Sequence, residues 1–289
     1  MSPKATNVAA RTDTGLVRER NEDRWLTRDY AGLTLLAVAD GVGGEAGGDV
    51  ASTAAIEALS GSFAPASSTD SRAALGTAIQ QANTAVLAAA NEERLPHAAT
   101  TLVAAAIRGR DVVIANLGDS RAYVVRGHAT RQVTTDHSGD TASSITRFLG
   151  DPRGVQPDIF VETLQPADRL VLCSDGLTRH VTDAEIASAT SSDPGRAADA
   201  LIALARSRGG EDNITVIVYA APQPAGSRAL AGTLLLALLV LVAIAGAAGV
   251  LLTIPVPVPA PSASPSARGP ESPSPSPSPD VTPSPSPSP

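Results

Sequence analysis

Apolar and polar residues alternate in the first part of the chain in a way that predicts three strands followed by two helices. Residues 6–11, 22–29 and 33–39 are short apolar or β-branched runs that end near Gly or Asp, as strands commonly do. The segments 49–62 and 72–93 are rich in Ala and repeat apolar residues at three- and four-residue spacing, which is typical of amphipathic helices.

The middle of the chain predicts further strands that follow one another closely. The runs "TTLVAAAI" (100–107), "VVIANLG" (112–118) and "RAYVVRG" (121–127) are separated by very short turns, so we expect them to form an antiparallel meander. "RLVLCS" (169–174) and "NITVIVYA" (213–220) predict two more strands.

Two helices are predicted between these last two strands. Asp183 can cap a helix that runs to about residue 190, and Asp193 followed by Pro194 can open another with proline at its first position. The resulting order of elements is not the regular alternation of a parallel α/β sheet. The chain is therefore predicted to be an α+β protein with antiparallel sheets and helices packed outside them.

The pattern changes completely at residues 229–254, "ALAGTLLLALLVLVAIAGAAGVLLTI", which contain no charged residue in 26 positions. A helix of this length extends roughly 39 Å, and the hydrocarbon core of a bilayer is about 30 Å thick. A buried core helix is the alternative, but core helices are rarely so long and so uniformly apolar. We therefore predict a transmembrane helix.

Residues 255–289 alternate Pro with small and polar residues and predict an extended, disordered tail. The predicted organisation is then a globular domain at 1–222, a juxtamembrane linker at 223–228, the membrane span at 229–254 and the tail at 255–289.

The N-terminal sequence, the charges and the cysteine content predict where in the cell the protein lies. The N-terminus has no apolar core of a signal peptide, and Arg206, Arg208 and Arg228 precede the span while only Arg268 follows it closely. We expect a single-pass protein of the cell membrane with its globular domain in the cytoplasm and its tail outside. A single Cys173 fits a reducing compartment, and a net charge of −7 without a basic cluster argues against nucleic acid as a partner.

Candidate chemistry is concentrated in five short acidic stretches at predicted strand ends. They are "NED" (21–23), "LLAVADGVGG" (35–44), "GDS" (118–120), "SDG" (174–176) and "EDN" (211–213). A single Asp of this kind is usually an ordinary turn former. Five of them in antiparallel sheets can meet at one rim, where their charges repel by several kcal/mol unless a cation neutralises them.

Oxygen ligands without nearby His or Cys favour Mg²⁺ or Mn²⁺ over zinc, and the four His are scattered along the chain. Asp40 is predicted to bridge two such metals, with Gly41 lending its backbone carbonyl because it has no side chain in the way. Two metals can share a water, lower its pKa and aim it at a phosphorus atom. Arg18 is the candidate to bind the phosphate, with Arg20 as its local competitor.

Seven motifs, taken in order, resemble those of the metal-dependent protein serine/threonine phosphatases, the PPM or type 2C family, in its bacterial form. They are "DTGLVRERNED", "LLAVADGVGG", "ATTLVAA", "VIANLGDSRAYVVR", "TTDHS", "RLVLCSDGL" and "GGEDNITVIV". The resemblance covers about residues 6–220. It implies a central β-sandwich flanked by helix pairs, with a dinuclear Mn²⁺ or Mg²⁺ centre at one end.

The resemblance also implies roles for individual residues. Asp40 would bridge both metals, Gly41 would ligate one of them, and Asp175 and Asp212 would complete the other. Arg18 would hold the substrate phosphate. Glu22 and Asp23 would lie in or near the inner ligand shell of the metals. Asp119 would take part in a third, looser metal site.

Three departures from the family pattern are visible. Val42 stands where eukaryotic members often carry a His that is a proposed general acid, and the usual "GTT" is "ATT" at 99–101. The helical flap of bacterial relatives is cut back at 137–150 to a segment with room for one short helix at most. Asp136 or Asp140 can substitute for the third-metal carboxylate that the flap helps to supply.

Three functions remain open from the sequence. The first is a membrane-anchored phosphatase acting on phosphoserine and phosphothreonine in proteins, in opposition to Ser/Thr kinases. The second is a phosphatase-like receptor or scaffold that binds phosphorylated partners with little turnover, and the third is the same chemistry on a small phosphorylated molecule. The retention of every expected metal ligand favours an enzyme.

Overall fold

The computed structural model describes residues 7–30, 32–42, 47–64, 71–139 and 144–223. These residues form eleven strands and five helices. The strands are β1 (Val8–Asp13), β2 (Asp23–Tyr30), β3 (Leu33–Val42), β4 (Ala99–Thr100), β5 (Leu102–Arg108), β6 (Asp111–Leu117), β7 (Arg121–Arg126), β8 (Ala129–Gln132), β9 (Asp158–Thr163), β10 (Arg169–Cys173) and β11 (Ile214–Ala220). The helices are α1 (Gly47–Ser62), α2 (Ser71–Glu92), α3 (Asp175–Thr178), α4 (Asp183–Ala189) and α5 (Pro194–Ser207).

The strands form two antiparallel sheets. The first, called the β10 sheet below, has the order β1-β11-β10-β7-β8. The second, the β3 sheet, has the order β2-β3-β5-β6-β9, and the two-residue strand β4 pairs with the end of β3. Because every pair is antiparallel, strands that follow one another in sequence can be joined by short turns.

Strand β3 shows how the layers are packed. Leu35, Ala37 and Ala39 lie in a core shared with α1 and α2, whereas Leu36 and Val38 lie in the core between the two sheets. Successive side chains of a strand point to opposite faces, so a strand that is buried on both faces reads as a continuous apolar run. This is why "LLAVA" is apolar throughout.

The outer face of the β10 sheet is covered by the second group of helices. Leu201 and Ala205 of α5 share a buried cluster with Val216 and Val218 of β11. Pro194 is the first residue of α5 and follows the N-cap residue Asp193. The Asp193 side chain accepts hydrogen bonds from the backbone amides of the next two residues, Gly195 and Arg196. The predicted α+β fold, a sandwich of antiparallel sheets flanked by helix pairs, is confirmed.

Two details of the predicted secondary structure were wrong. β7 does not continue a meander from β5 and β6, because it crosses to the other sheet and pairs there with β10 and β8. Gly118, with φ of +104°, lies at this crossing, where a left-handed backbone turns the chain between the layers. The first helical residue of α4 is Asp183, and its N-cap is Thr182.

Three short elements were not predicted: β8, β9 and α3. The edge strand β9 is only partly buried and lacks the strong apolar run of the central strands. Among the described residues, no helix is long and apolar enough to span a bilayer. The predicted span at 229–254 and the tail at 255–289 lie outside those residues.

Candidate metal centre

The acidic stretches meet at one rim of the sandwich because of the strand register. Asp23 at the start of β2 lies opposite Asp40 near the end of β3. In the other sheet, Cys173 at the end of β10 lies opposite both Val216 of β11 and Arg121 of β7. The segments that flank those positions carry the remaining three Asp residues, which the antiparallel pairing therefore places at the same end.

A cleft of about 250 Å³ opens at this rim. Its lining contains five carboxylates, two guanidinium groups and the backbone of Gly41. The carboxylates are those of Glu22, Asp40, Asp119, Asp175 and Asp212, and the guanidinium groups are those of Arg18 and Arg179. Of the eight residues predicted for the site, seven line this cleft. Asp23, the eighth, is buried beside it. Arg20 is not part of the lining.

Asp40 is the carboxylate with the most acidic neighbours. Burial raises its pKa well above the ordinary value, and the negative charges of Asp23, Asp175, Asp212 and Asp119 raise it further. Its side chain accepts no hydrogen bond from another described residue. A carboxylate in this position is stable only when a proton or a cation neutralises it.

The backbone of Asp40 is held firmly by the "ATT" segment. The amide of Thr101 and the hydroxyl of Thr100 each donate to the Asp40 carbonyl over 2.9 Å, and the Asp40 amide donates to the hydroxyl of Thr101 over 3.1 Å. The Thr101 hydroxyl also lies 2.8 Å from that of Ser120, next to Asp119. The two threonines therefore fix the position of Asp40 at the end of its strand.

Asp23 is held from below by Ser174. The hydroxyl of Ser174 donates to Asp23 Oδ2 over 2.8 Å, and it accepts from the Thr215 amide over 2.9 Å. Burial raises the pKa of Asp23 to about 7, against the opposing effect of hydrogen bonds from Thr215 and Ser174. Asp23 Oδ1 is buried without a hydrogen-bond partner among the described residues.

Two further carboxylates are also perturbed. Burial raises the pKa of Asp119 to about 6, and the charge of Asp175 contributes in the same direction. Asp119 Oδ1 is a second buried oxygen without a hydrogen-bond partner among the described residues. Burial also raises the pKa of Glu22, although the charge of Arg18 opposes this.

The remaining two carboxylates are paired with arginines. Arg18 Nη2 lies 2.8 Å from Asp212 Oδ2. Arg179 donates to Asp175 Oδ2 from Nε over 3.0 Å and also from Nη2, and its Nη1 lies 3.7 Å from Asp212 Oδ2. Two positive charges thus partly balance an otherwise acidic cleft.

The donor chemistry of the cleft fits hard divalent cations. It offers carboxylate oxygens, of which Asp119 Oδ1 is buried and unpartnered, and the lining has no imidazole or thiolate among the described residues; the unpartnered Oδ1 of Asp23 is buried beside the cleft. Within the described ranges, no three His, Cys, Asp or Glu side chains are gathered tightly enough to hold a metal ion as they stand. The contacts give the reason, since Asp175 and Asp212 are turned towards guanidinium groups.

Gly41 has a structural role that the sequence did not predict. A Cβ atom at this position would lie 2.3 Å from the backbone oxygen of Gly48 at the start of α1. A Cβ at Gly48 would in turn lie 2.6 Å from Oε2 of Glu22. Glycine is therefore required at both positions because β3, α1 and the Glu22 side chain approach one another so closely.

Asp136, one of the two candidate substitutes for the third-metal carboxylate, does not line the cleft. Asp136 accepts hydrogen bonds from the Arg121 guanidinium at 2.7 and 3.0 Å and from Gln132 at 2.9 Å, so its oxygens are already engaged. Asp140 lies outside the described residues. Among the described residues of 137–150, the chain forms isolated bridges, Ser138 with Ile145 and Thr100 with Leu149, and no helix.

Four residues with clear roles at the rim were not predicted from the sequence. Asn213 accepts from the Glu22 amide over 2.7 Å and donates to the carbonyls of Thr14 and Arg20, both over 2.9 Å. It thus ties the segment that carries Arg18 to the segment that carries Asp212. The others are Ser174, Thr101 and Arg179. Asn213 and Ser174 stand within the quoted motifs "EDN" and "SDG", whereas nothing in the pattern distinguishes Arg179 from a surface arginine.

A two-layer sandwich of antiparallel sheets with helices outside, and at its rim a cleft lined by carboxylates and two arginines, defines a metal-dependent phosphatase. Comparison with known proteins agrees with this class. Residues 17–207 match the family model described as Protein phosphatase 2C. The serine/threonine phosphatase stp of Listeria monocytogenes is 38% identical over 234 residues, covering 72% of this chain and 93% of that protein.

The serine/threonine protein phosphatase PstP of Mycobacterium tuberculosis is 36% identical over 251 residues, which cover 78% of this chain and 48% of PstP. Its crystal structure matches with a TM-score of 0.67 over 75% of this chain and 98% of the solved chain, at 36% identity. A structure of the catalytic domain of serine/threonine protein phosphatase PstP in complex with two manganese ions matches with a TM-score of 0.66, at 36% identity over 74% and 98% of the two chains. The chain belongs to the protein phosphatase 2C family.

Proposed function

We propose that this protein hydrolyses phosphoserine and phosphothreonine in proteins at a centre that holds two Mn²⁺ or Mg²⁺ ions. The observation that carries the proposal is the convergence of Asp40, Asp175 and Asp212, from three distant segments, on one cleft that also contains Arg18. The related PstP catalytic domain, solved with two manganese ions, supports manganese as the metal and two as the number of ions.

The residues of the cleft divide into two groups by chemistry. Asp40, Asp175 and Asp212 would hold the ions together with the carbonyl of Gly41, and Glu22 and Asp23 would support them from the inner side of the cleft. Asp119 would contribute to a third, looser site. When bound, two ions of this kind neutralise phosphate oxygens and lower the pKa of water, which makes it a nucleophile at neutral pH.

Arg18 would bind the phosphate of the substrate. Its side chain is half exposed at the cleft and its guanidinium points towards Asp212. A planar guanidinium can donate two parallel hydrogen bonds to phosphate oxygens, which fixes the group for in-line attack. Val42, at the position of the general acid proposed for eukaryotic members, also lines the cleft and has no group that can transfer a proton.

The apolar segment 229–254 supports a further part of the proposal. It would anchor the protein in the cell membrane by a single span, with the catalytic domain in the cytoplasm and residues 255–289 outside. The natural opponents of such an enzyme are Ser/Thr kinases and their substrates at the membrane. The related proteins are named serine/threonine phosphatases, so proteins that carry phosphorylated Ser or Thr are the substrates to test first.

Phosphate release from a phosphothreonine peptide by the purified full chain tests the reaction. We expect release that requires Mn²⁺ or Mg²⁺, stops with a chelator, and falls by orders of magnitude in Asp40→Ala, because both the ions and the attacking water depend on that carboxylate. Asp199→Ala is the matched control, since this Asp is paired with Arg11 on the surface away from the cleft and its removal should leave the rate unchanged.

The alternatives give different results in the same assay. Equal, near-zero rates for the wild type and Asp40→Ala would support a scaffold that binds phosphorylated partners. Turnover of small phosphate esters without turnover of the phosphopeptide would support a small-molecule phosphatase.

Membrane topology has its own test. A reporter fused after Pro289 should be accessible to protease added to intact cells. Protection of that reporter would show that the orientation is wrong.

A further inference from the structure

Arg179 lies directly on the metal-binding carboxylates of the proposed enzyme. It follows α3 immediately, and its guanidinium donates two hydrogen bonds to Asp175 Oδ2, one of them 3.0 Å long. Its Nη1 atom lies 3.7 Å from Asp212 Oδ2. A single side chain therefore contacts both Asp residues that are expected to complete one metal site.

The surroundings allow this side chain to move. Arg179 lines the carboxylate cleft and also a second cavity of about 350 Å³, whose lining includes Arg121 and Asp136. Its side chain is 44% exposed, whereas those of Asp175 and Asp212 are 17% and 16% exposed. The carboxylates are fixed by the sandwich, but the arginine can swing out into open space.

A guanidinium and a divalent cation need the same oxygen atoms. Asp175 cannot donate its Oδ2 lone pairs to a metal ion while Nε and Nη2 of Arg179 occupy them, and two cations on one carboxylate also repel each other. A metal ion at Asp175 therefore either displaces Arg179 from Oδ2 or binds Oδ1 against the repulsion of the guanidinium, and in both cases the contact opposes metal binding. The free energy of that contact is subtracted from the free energy of metal binding.

We infer that Arg179 is a displaceable counter-ion of the metal centre. In the metal-free protein it neutralises Asp175 and, together with Arg18, Asp212, which stabilises the acidic rim. On metal loading it leaves these carboxylates, and by competing for them it sets the concentration of divalent cation at which the centre fills. This inference rests on the proposed metal-dependent function.

Manganese titration of the full, chelator-treated chain by isothermal titration calorimetry tests the inference. We expect Arg179→Gln to bind Mn²⁺ about three- to tenfold more tightly than the wild type, because the competing hydrogen bonds are lost. Arg20→Gln is the matched control. It removes the same charge from a residue whose charge acts on Glu22, and its guanidinium makes no hydrogen bond to another described residue. Its Mn²⁺ affinity should stay within about twofold of the wild type.

Thermal unfolding provides a readout that does not depend on activity. Without metal, Arg179→Gln should unfold at a lower temperature than the wild type, because Asp175 loses its counter-ion and Asp212 keeps only Arg18. With saturating Mn²⁺, which replaces that counter-ion, the difference should disappear.

Two results would overturn the inference. One is an unchanged or weaker Mn²⁺ affinity in Arg179→Gln. The other is an equal gain in Arg20→Gln, which would show that only the total charge matters. Failure of the phosphatase function looks different, since Mn²⁺ binding would then show the expected order of affinities without any phosphate release.

Discussion

Arg18 Nη2 and Asp212 Oδ2 are 2.8 Å apart although the two residues are separated by 194 positions in the chain. The pairing joins the segment before β2 to the segment before β11. Asn213 reinforces it by holding the backbone on both sides of Arg18. The proposed phosphate-binding group and a proposed metal ligand are thus fixed relative to each other by contacts that need neither substrate nor metal.

Replacement of Arg18 tests its proposed role. We expect Arg18→Ala to raise KM, lower kcat and reduce kcat/KM by roughly 10- to 100-fold, because the guanidinium contacts the phosphate in both the ground state and the transition state. Mn²⁺ should still bind, which calorimetry can verify. Arg20→Ala is the control and should retain wild-type kinetics. The assignment is wrong if the two variants exchange these results.

Gly41 tests the close approach of β3 and α1. We expect Gly41→Ala to destabilise the fold by about 2–4 kcal/mol, because the added methyl group would lie 2.3 Å from the backbone oxygen of Gly48. A backbone oxygen cannot move aside as the end of a flexible side chain can. Gly76→Ala, in the interior of α2 with nothing within 4 Å of the new Cβ, should instead stabilise by about 0.5–1 kcal/mol. Urea unfolding of the metal-free variants measures both, and equal effects of the two substitutions would refute the packing argument.

Replacement of Ser174 tests how much its hydrogen bonds with Asp23 and Thr215 stabilise the fold. We expect Ser174→Ala to lower the free energy of unfolding by about 1–3 kcal/mol, because the buried Thr215 amide loses its acceptor and Asp23 loses a donor. Ser191→Ala, which removes an exposed hydroxyl bonded to a carbonyl in the same turn, should change stability by less than about 0.5 kcal/mol. Chemical denaturation measures the two side by side, and a Ser174→Ala protein as stable as the wild type would show that this pair is dispensable.

The raised carboxylate pKa values predict how stability changes with pH in the presence of a chelator. Burial raises the pKa of Asp23 to about 7 and that of Asp119 to about 6, whereas both would be near 4 in the unfolded chain. Between about pH 4 and pH 7 the folded protein therefore binds more protons than the unfolded one. Its stability should be highest at the acidic end of this window and fall, by a few kcal/mol, as pH rises through about 7.

Urea unfolding at pH 5 and at pH 8 measures this dependence. Asp23→Asn, which carries a permanently neutral side chain, should reduce it and leave the smaller contribution of Asp119. Saturating Mn²⁺ should reverse it, because metal ions bind the deprotonated carboxylates. A metal-free wild type that is more stable at pH 8 than at pH 5 would contradict the prediction.

Most of the fold could be predicted from local pattern because the central strands and the helices are long and periodic. β3 reads as a strand because it is buried on both faces, and α5 begins where Asp193 and Pro194 predict it. β8, β9 and the crossing of β7 could not be predicted, since edge strands carry a weak apolar signal and the choice of sheet depends on a turn at Gly118.

The sequence by itself determined which residues are candidates for the chemistry, because carboxylates at strand ends and the glycine beside Asp40 can be read from short motifs. Only the tertiary structure decided how these residues are held. The register of Asp23 opposite Asp40, the hydroxyl of Ser174 below them and the guanidinium of Arg179 on Asp175 all join segments that are distant in the chain. Such contacts depend on how the two sheets are stacked, and no local pattern of apolar and polar residues records that arrangement.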